Sequence, residues 1–271
     1  MFWGLIESKV NIPSGDLNYL SFGKGQKNLI IIQGLNVRDI KGAGASLAFM
    51  YKRFSMNYRV WFFDRRMTVK EGLTNWDLAE DIYFAMKKLN IESADVFGVS
   101  QGGMIAMALA LEHPECVSKL VLGVTSSRAN ENIQKVVGRW VSCAKNQDHV
   151  TINNETFSLM YTDRYLKKYK MLMPLLVKMI KPKDFNRFAI LASAILDFDC
   201  YDRLNEIKCP VFVLGGEQDK ITTGEASVEI AEKLNCQIHM YSEYGHAAYE
   251  EAKDFNTRVY EFLLKSSNSN L

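Results

Sequence analysis

Histidine and cysteine are scarce in this sequence and neither is clustered: four histidines and five cysteines are spread over 271 residues. Cys116, Cys143, Cys200, Cys209 and Cys236 are odd in number and never form a C-x-x-C pair. That spacing indicates no disulfide framework and no zinc site, and nothing else implies a metal or cofactor. Scattered reduced thiols fit a cytoplasmic protein. A charge excess is also missing: 33 Lys plus Arg against 31 Asp plus Glu leave a net +2, which gives no footprint for nucleic acid. No apolar run approaches the roughly 18 residues of a membrane span, and the longest, near 172–180, is broken by Pro174 and Lys178. The start, Met1-Phe2-Trp3-Gly4-Leu5-Ile6-Glu7, has no positive region ahead of an apolar one and does not read as a signal peptide. Repeats and low-complexity tracts are absent.

What is present is 48% apolar residues in a chain long enough for a full core. Near-continuous apolar runs at 29–33 (LIIIQ), 59–63, 94–99, 119–124 and 211–214 read as strands buried on both faces. Ahead of them, 5–10 and 17–22 flank Pro13-Ser14-Gly15-Asp16, a turn sequence that joins an antiparallel hairpin. A short strand at 237–241 closes the sheet. Helical patterns at 44–56, 76–89, 101–112, 224–234 and 248–264 alternate with these strands, with Thr74 and Asp77 marking one helix start. The alternation predicts an α/β fold, a mostly parallel eight-stranded sheet flanked by helices. The polar tail at 266–270 is expected to fray. Between 130 and 205 the rhythm breaks: a single glycine, Gly138, and amphipathic patterns at 131–145, 155–169 and 185–196 predict a helical insertion. The expected organisation is a core of 1–129 and 206–271 with the insertion 130–205 between its halves.

One motif carries chemistry. Gly98-Val99-Ser100-Gln101-Gly102-Gly103 lies directly between a strand and a helix, where G-x-S-x-G describes a sharp turn that lifts a serine hydroxyl above the sheet. The bland alternative is a tight turn in which Ser100 only caps the helix. A serine needs a general base held by a carboxylate. His113 ends a helix, His149 lies in the insertion and His239 sits in a strand. His246, in Tyr244-Gly245-His246-Ala247, falls in a loop at a strand's carboxyl end, where α/β sites are built. The acid is expected earlier, in Gly215-Gly216-Glu217-Gln218-Asp219-Lys220, with Asp219 as first choice and Glu217 as rival. The other loop that could supply it, Thr125-Ser126-Ser127-Arg128, has no carboxylate. Oxyanion donors are expected from the backbone amides of Gln101 and Leu35, the latter in Gln33-Gly34-Leu35-Asn36.

This order of strand, elbow, acid and histidine, with Phe63-Asp64-Arg65-Arg66 after the fourth strand, resembles the α/β-hydrolase superfamily in its capped esterase and lipase branch. The resemblance covers nearly the whole chain and implies that 130–205 is a helical cap over the site. Two positions depart from the family pattern: Gln33 stands where His-Gly is usual, and Met67 where a glycine commonly follows the Asp-Arg-Arg stretch. Ser100 excludes the relatives that place an aspartate at the elbow, the haloalkane dehalogenases and epoxide hydrolases. The expected activity is serine hydrolysis of carboxylic esters with small to medium apolar acyl groups, on a small-molecule substrate. Lactonases, thioesterases, carbon-carbon bond hydrolases and lyases share these motifs, and a non-catalytic ligand-binding module is the alternative from another class. Nine aromatics and four methionines in 130–205 would pack the cap or line an acyl pocket. A dinucleotide site is disfavoured further, since Gly42-Ala43-Gly44-Ala45-Ser46-Leu47 lacks both the third glycine and a preceding strand. Oligomeric state leaves no trace in the sequence.

Overall fold

The computed structural model describes residues 4–37 and 39–265, so the tail at 266–270 and the residues before Gly4 lie outside the described residues. Eight strands form one sheet: β1 (Ile6–Ile12), β2 (Gly15–Phe22), β3 (Lys27–Ile32), β4 (Tyr58–Phe63), β5 (Ala94–Val99), β6 (Val117–Gly123), β7 (Val211–Gly216) and β8 (Gln237–Tyr241). Their order is β1-β2-β4-β3-β5-β6-β7-β8. Only β1–β2 and β2–β4 pair antiparallel; the rest of the sheet is parallel.

Side chains alternate between faces along a strand, so a sheet covered on both sides sorts each apolar run into two cores. Ile30, Ile32, Val96, Leu120, Leu122 and Val213 pack under α2 (Asn75–Lys88), α3 (Gln101–Glu112) and α9 (Gly224–Leu234). Leu29, Ile31, Val60, Phe62, Phe97, Val121 and Leu214 pack under α1 (Gly44–Met50) and α11 (Phe255–Leu264). Helix α2 starts at the predicted cap: Thr74 accepts from the Asp77 amide, and Asp77 accepts from the Thr74 amide.

Between β6 and β7 the chain forms α4 (Glu131–Lys145), α5 (His149–Met160), α6 (Asp163–Tyr169), α7 (Met173–Met179) and α8 (Phe185–Leu196). The excursion leaves and returns on a paired stem, where Ala129 N donates to Phe198 O and Cys200 N donates to Ser127 O. Helices α4 and α8 share the hydrophobic cluster beneath α2 and α3, through Ile133, Val137, Trp140, Phe188 and Ile195.

Three expected helices are interrupted, each by a side chain that periodicity does not register. The pattern at 44–56 leaves the α-helix at Tyr51, whose buried ring packs on Phe54 and Phe62, and continues as a 3₁₀ turn. The pattern at 155–169 belongs to two helices. Tyr161 is extended, and Thr162 starts α6 by accepting from the Tyr165 amide while Glu251 accepts from its own N–H and hydroxyl. The pattern at 248–264 splits into α10 (Ala248–Glu251) and α11, because Ala252 turns extended so that Phe255 can enter the core.

Phe255 is fully buried, stacks on Phe97 and Tyr241, and reaches the underside of β6 at Gly123. Phe255→Ala leaves a void that the surrounding strands cannot collapse into, and should cost about 3–5 kcal/mol in urea-unfolding measurements.

Candidate active site

The carboxyl ends of β5, β7 and β8 point the same way, so the loops that follow them converge. Ser100 is the residue between β5 and α3. Its backbone sits at φ 53°, ψ −125°, a conformation that costs an ordinary residue about 1–3 kcal/mol. The neighbouring glycines explain how the turn closes. A Cβ on Gly98 would lie 2.4 Å from Gly102 O, one on Gly102 would lie 2.0 Å from Ile32 O, and one on Gly103 would lie 2.6 Å from the Thr125 side chain. Backbone fills the space that side chains would need at Gly98 and Gly102, and the Thr125 side chain fills it at Gly103. Two hydrogen bonds hold the turn in register: Ser100 N donates to Gly123 O at 2.9 Å, and Thr125 Oγ1 donates to Ser100 O at 2.7 Å.

His246 follows β8 and places Nε2 2.9 Å from Ser100 Oγ, while Nδ1 lies 2.8 Å from Asp219 Oδ2. Asp219 and His246 are both buried. The Asp219 carboxylate is saturated: Oδ1 accepts from the amides of Ile221 and Thr222, and Oδ2 accepts from Thr222 Oγ1 as well as from the imidazole. Burial alone would raise its pKa, but the neighbouring His246 and these hydrogen bonds outweigh burial and hold it below the ordinary carboxylate value. A carboxylate that stays ionised while buried can fix the imidazole tautomer and stabilise an imidazolium.

The loop 33–37 runs beside the hydroxyl, and a Cβ on Gly34 would lie 3.2 Å from Ser100 Cβ. Leu35 and Gln101 border the same cavity as Ser100 and His246. Among the described residues neither backbone amide donates to a protein acceptor. The loop is tied down by Arg65, which donates from Nη2 to Gln33 O, and beyond it Asp64 accepts from the Ile40 amide. Burial lowers the Arg65 pKa to about 10, partly offset by the Asp64 charge.

The cavity measures about 270 Å³. Met104, Ile133, Val137, Trp140, Ile152, Phe157 and Phe188 give it an apolar wall, and residues of the 130–205 segment supply most of that wall. Among the described residues no cluster of His, Cys, Asp and Glu is arranged to hold a metal, and no helix is long and apolar enough to cross a membrane.

A family model described as alpha/beta hydrolase fold matches residues 39–253. The chain belongs to that family. This alpha/beta hydrolase is 27% identical to a 2-hydroxy-6-oxononadienedioate/2-hydroxy-6-oxononatrienedioate hydrolase of Paraburkholderia xenovorans, over 94% of each chain. Among solved structures it is similar to the enol-lactonase from Burkholderia xenovorans, with TM-score 0.83 at 20% identity, covering 95% of this chain and 100% of that one. It also resembles MGS-M2, an alpha/beta hydrolase enzyme from a Medee basin deep-sea metagenome library. That match has TM-score 0.86 at 21% identity and covers 96% and 98% of the two chains.

Of the two candidate acids after β7 in this hydrolase, Asp219 meets the imidazole and Glu217 is an exposed loop residue. The other histidines lie elsewhere: His113 stacks on Tyr83 and contacts Glu80, His149 faces Lys178 O, and His239 packs on Tyr241 in β8. The sequence alone does not reveal the roles of Thr125, Asn75 and Arg65. Thr125 holds the elbow, Asn75 accepts from Gln101 Nε2, and Arg65 buttresses the 33–37 loop. Only Arg65 lies in a stretch that the family resemblance had marked.

Because Asp219 is held below its ordinary value of 3.8, its ionised form adds stability above that pH and loses it as pH falls through the lowered value. The destabilisation by Asp219→Asn in urea titrations is therefore expected in full at pH 7 and should shrink below about pH 3.8. A difference independent of pH would refute the linkage.

Proposed function

We propose that this alpha/beta hydrolase cleaves carboxylic esters with uncharged, apolar acyl groups through an acyl-enzyme on Ser100. The observation that carries the reading is the unbroken relay Asp219–His246–Ser100 at the floor of an apolar cavity. Ser100 Oγ attacks the ester carbonyl as His246 Nε2 takes its proton, and Asp219 stabilises the imidazolium that forms. The amides of Leu35 and Gln101 receive the negative oxygen, a contribution worth about 3 kcal/mol for each donor at such sites. Collapse of the tetrahedral intermediate breaks the ester bond, and His246 returns the proton to the leaving alkoxide. Water then enters with His246 as base, releases the acid and restores the serine. In this reading 130–205 is the cap that excludes bulk water and shapes the acyl pocket. A cytoplasmic location rests on the scattered, unpaired thiols.

Charge in the cavity favours neutral esters over a substrate of the kind named for the Paraburkholderia relative. That protein's substrate is by name a dicarboxylate. Among the described residues no lysine or arginine lines this cavity, and its one carboxylate is Glu250, which accepts from Tyr161 Oη at 2.6 Å. A second carboxylate brought against the apolar wall would be desolvated, and the exposed Glu250 carboxylate that borders the cavity would repel it.

Ser100→Ala should reduce p-nitrophenyl ester turnover by at least about a thousandfold and abolish labelling by a fluorophosphonate. Retained turnover would refute the mechanism. Across acyl chains of equal length, the wild type should prefer a methyl-ended over a carboxylate-ended ester in kcat/KM. Glu250→Gln should narrow that preference several-fold, and an unchanged ratio would remove the charge argument.

A further inference from the structure

The segment from Arg164 to Lys183 carries seven cations, Arg164 and six lysines, and no acid, whereas the rest of the chain is net acidic. All seven are exposed. They fall in two groups, Arg164 to Lys170 and Lys178 to Lys183, and between them the chain is apolar: Met171-Leu172-Met173-Pro174-Leu175-Leu176-Val177. These apolar side chains face outward. Met171 is 95% exposed, Leu172 53% and Leu175 57%, while Val177 alone is buried. The segment is held in that orientation from below. Asn153 donates from Nδ2 to the carbonyls of Val177 and Ile180, which leaves the opposite side of α7 uncovered. The patch also adjoins the cavity: Ile180, the residue after α7, lines it, as does Met50, itself exposed on α1.

We propose that this segment is a docking surface for an anionic lipid surface. Exposed leucine and methionine flanked on both sides by lysines need a partner that is negative at its rim and apolar a few ångströms deeper, and a bilayer bearing acidic headgroups offers both in that order. A second copy of the chain is disfavoured by charge, since a self-complementary contact would bring one all-cationic segment against another. Docking would set the cavity beside the lipid, where apolar acyl compounds concentrate. The docking itself does not depend on the ester chemistry, so the two can fail separately.

The test uses the full chain in sedimentation with vesicles of phosphatidylcholine alone and of phosphatidylcholine with phosphatidylglycerol in equal amounts, at low and high salt. The protein should pellet with the mixed vesicles only, and salt should weaken the association. The double variant Leu172→Ser/Leu175→Ser and the triple variant Lys167→Ser/Lys168→Ser/Lys170→Ser should each partition about tenfold less or weaker still. Their hydrolysis of a soluble short-chain ester, and their thermal unfolding, should match the wild type. Failure of the wild type to bind anionic vesicles, or equal binding by the variants, would overturn the proposal. So would self-association in light scattering that the leucine variant abolishes, which would assign the patch to a second copy.

Discussion

The arrangement depends on one packing constraint, the turn from β5 into α3, where backbone lies against backbone with no space for a Cβ at Gly98 or Gly102. That closeness forces Ser100 into a positive-φ conformation and leaves its side chain to project above the sheet edge. The strain is local, and the means to sustain it are distributed. The neighbouring strand supplies Gly123 O, the loop after that strand supplies Thr125, and the body of α3 is buried almost throughout. A close-packed interior resists the shift that would relieve the strain, so the hydroxyl stays where the imidazole can reach it.

The second half of the site is electrostatic. Asp219 is buried, which by itself opposes ionisation, and the neighbouring His246, together with the hydrogen bonds from Ile221 and Thr222, outweighs that burial. The same loop is joined to the helical segment: Asn132 donates to the carbonyls of Lys220 and Ile221, and Asn130 donates to Thr222 O. Comparable links run from α8 to Gln101, from Arg187 to the carbonyls after β4, and from Met160 O to the Ala247 amide beside His246. The 130–205 segment is thus bonded to the loops that carry Gln101, Asp219 and His246. Its α4 and α8 extend the core, whereas its 164–183 stretch faces outward with apolar and cationic side chains.

Much of this was legible in the sequence because the signals were local and redundant. All eight strands were readable: β3 to β7, buried on both faces, as short apolar runs between turn residues, the hairpin β1–β2 from its turn sequence, and β8 as a short strand closing the sheet. The elbow was readable because its glycines answer a steric need confined to six residues. Helix ends were less so. Tyr51, Tyr161 and Ala252 interrupt amphipathic patterns that would continue by periodicity, because a buried ring, the Glu251 carboxylate and the placement of Phe255 each gain more from a break than from another turn. Arg65 could be seen as a motif residue, but its hold on Gln33 O requires a fold that sets the ends of β3 and β4 side by side.

The sequence by itself determined the layer architecture, the position of Ser100 between a strand and a helix, and a histidine, His246, in the loop after the last strand, because each is encoded in contiguous residues. Tertiary structure decided what depends on distant residues meeting. It set Asp219 against His246 and left Glu217 exposed. It set a carboxylate, Glu250, in a cavity wall without a described cation, and turned the leucines of the 164–183 segment away from the core. Burial and charge environment are properties of a surface closed by residues far apart in the chain, and no local pattern specifies them.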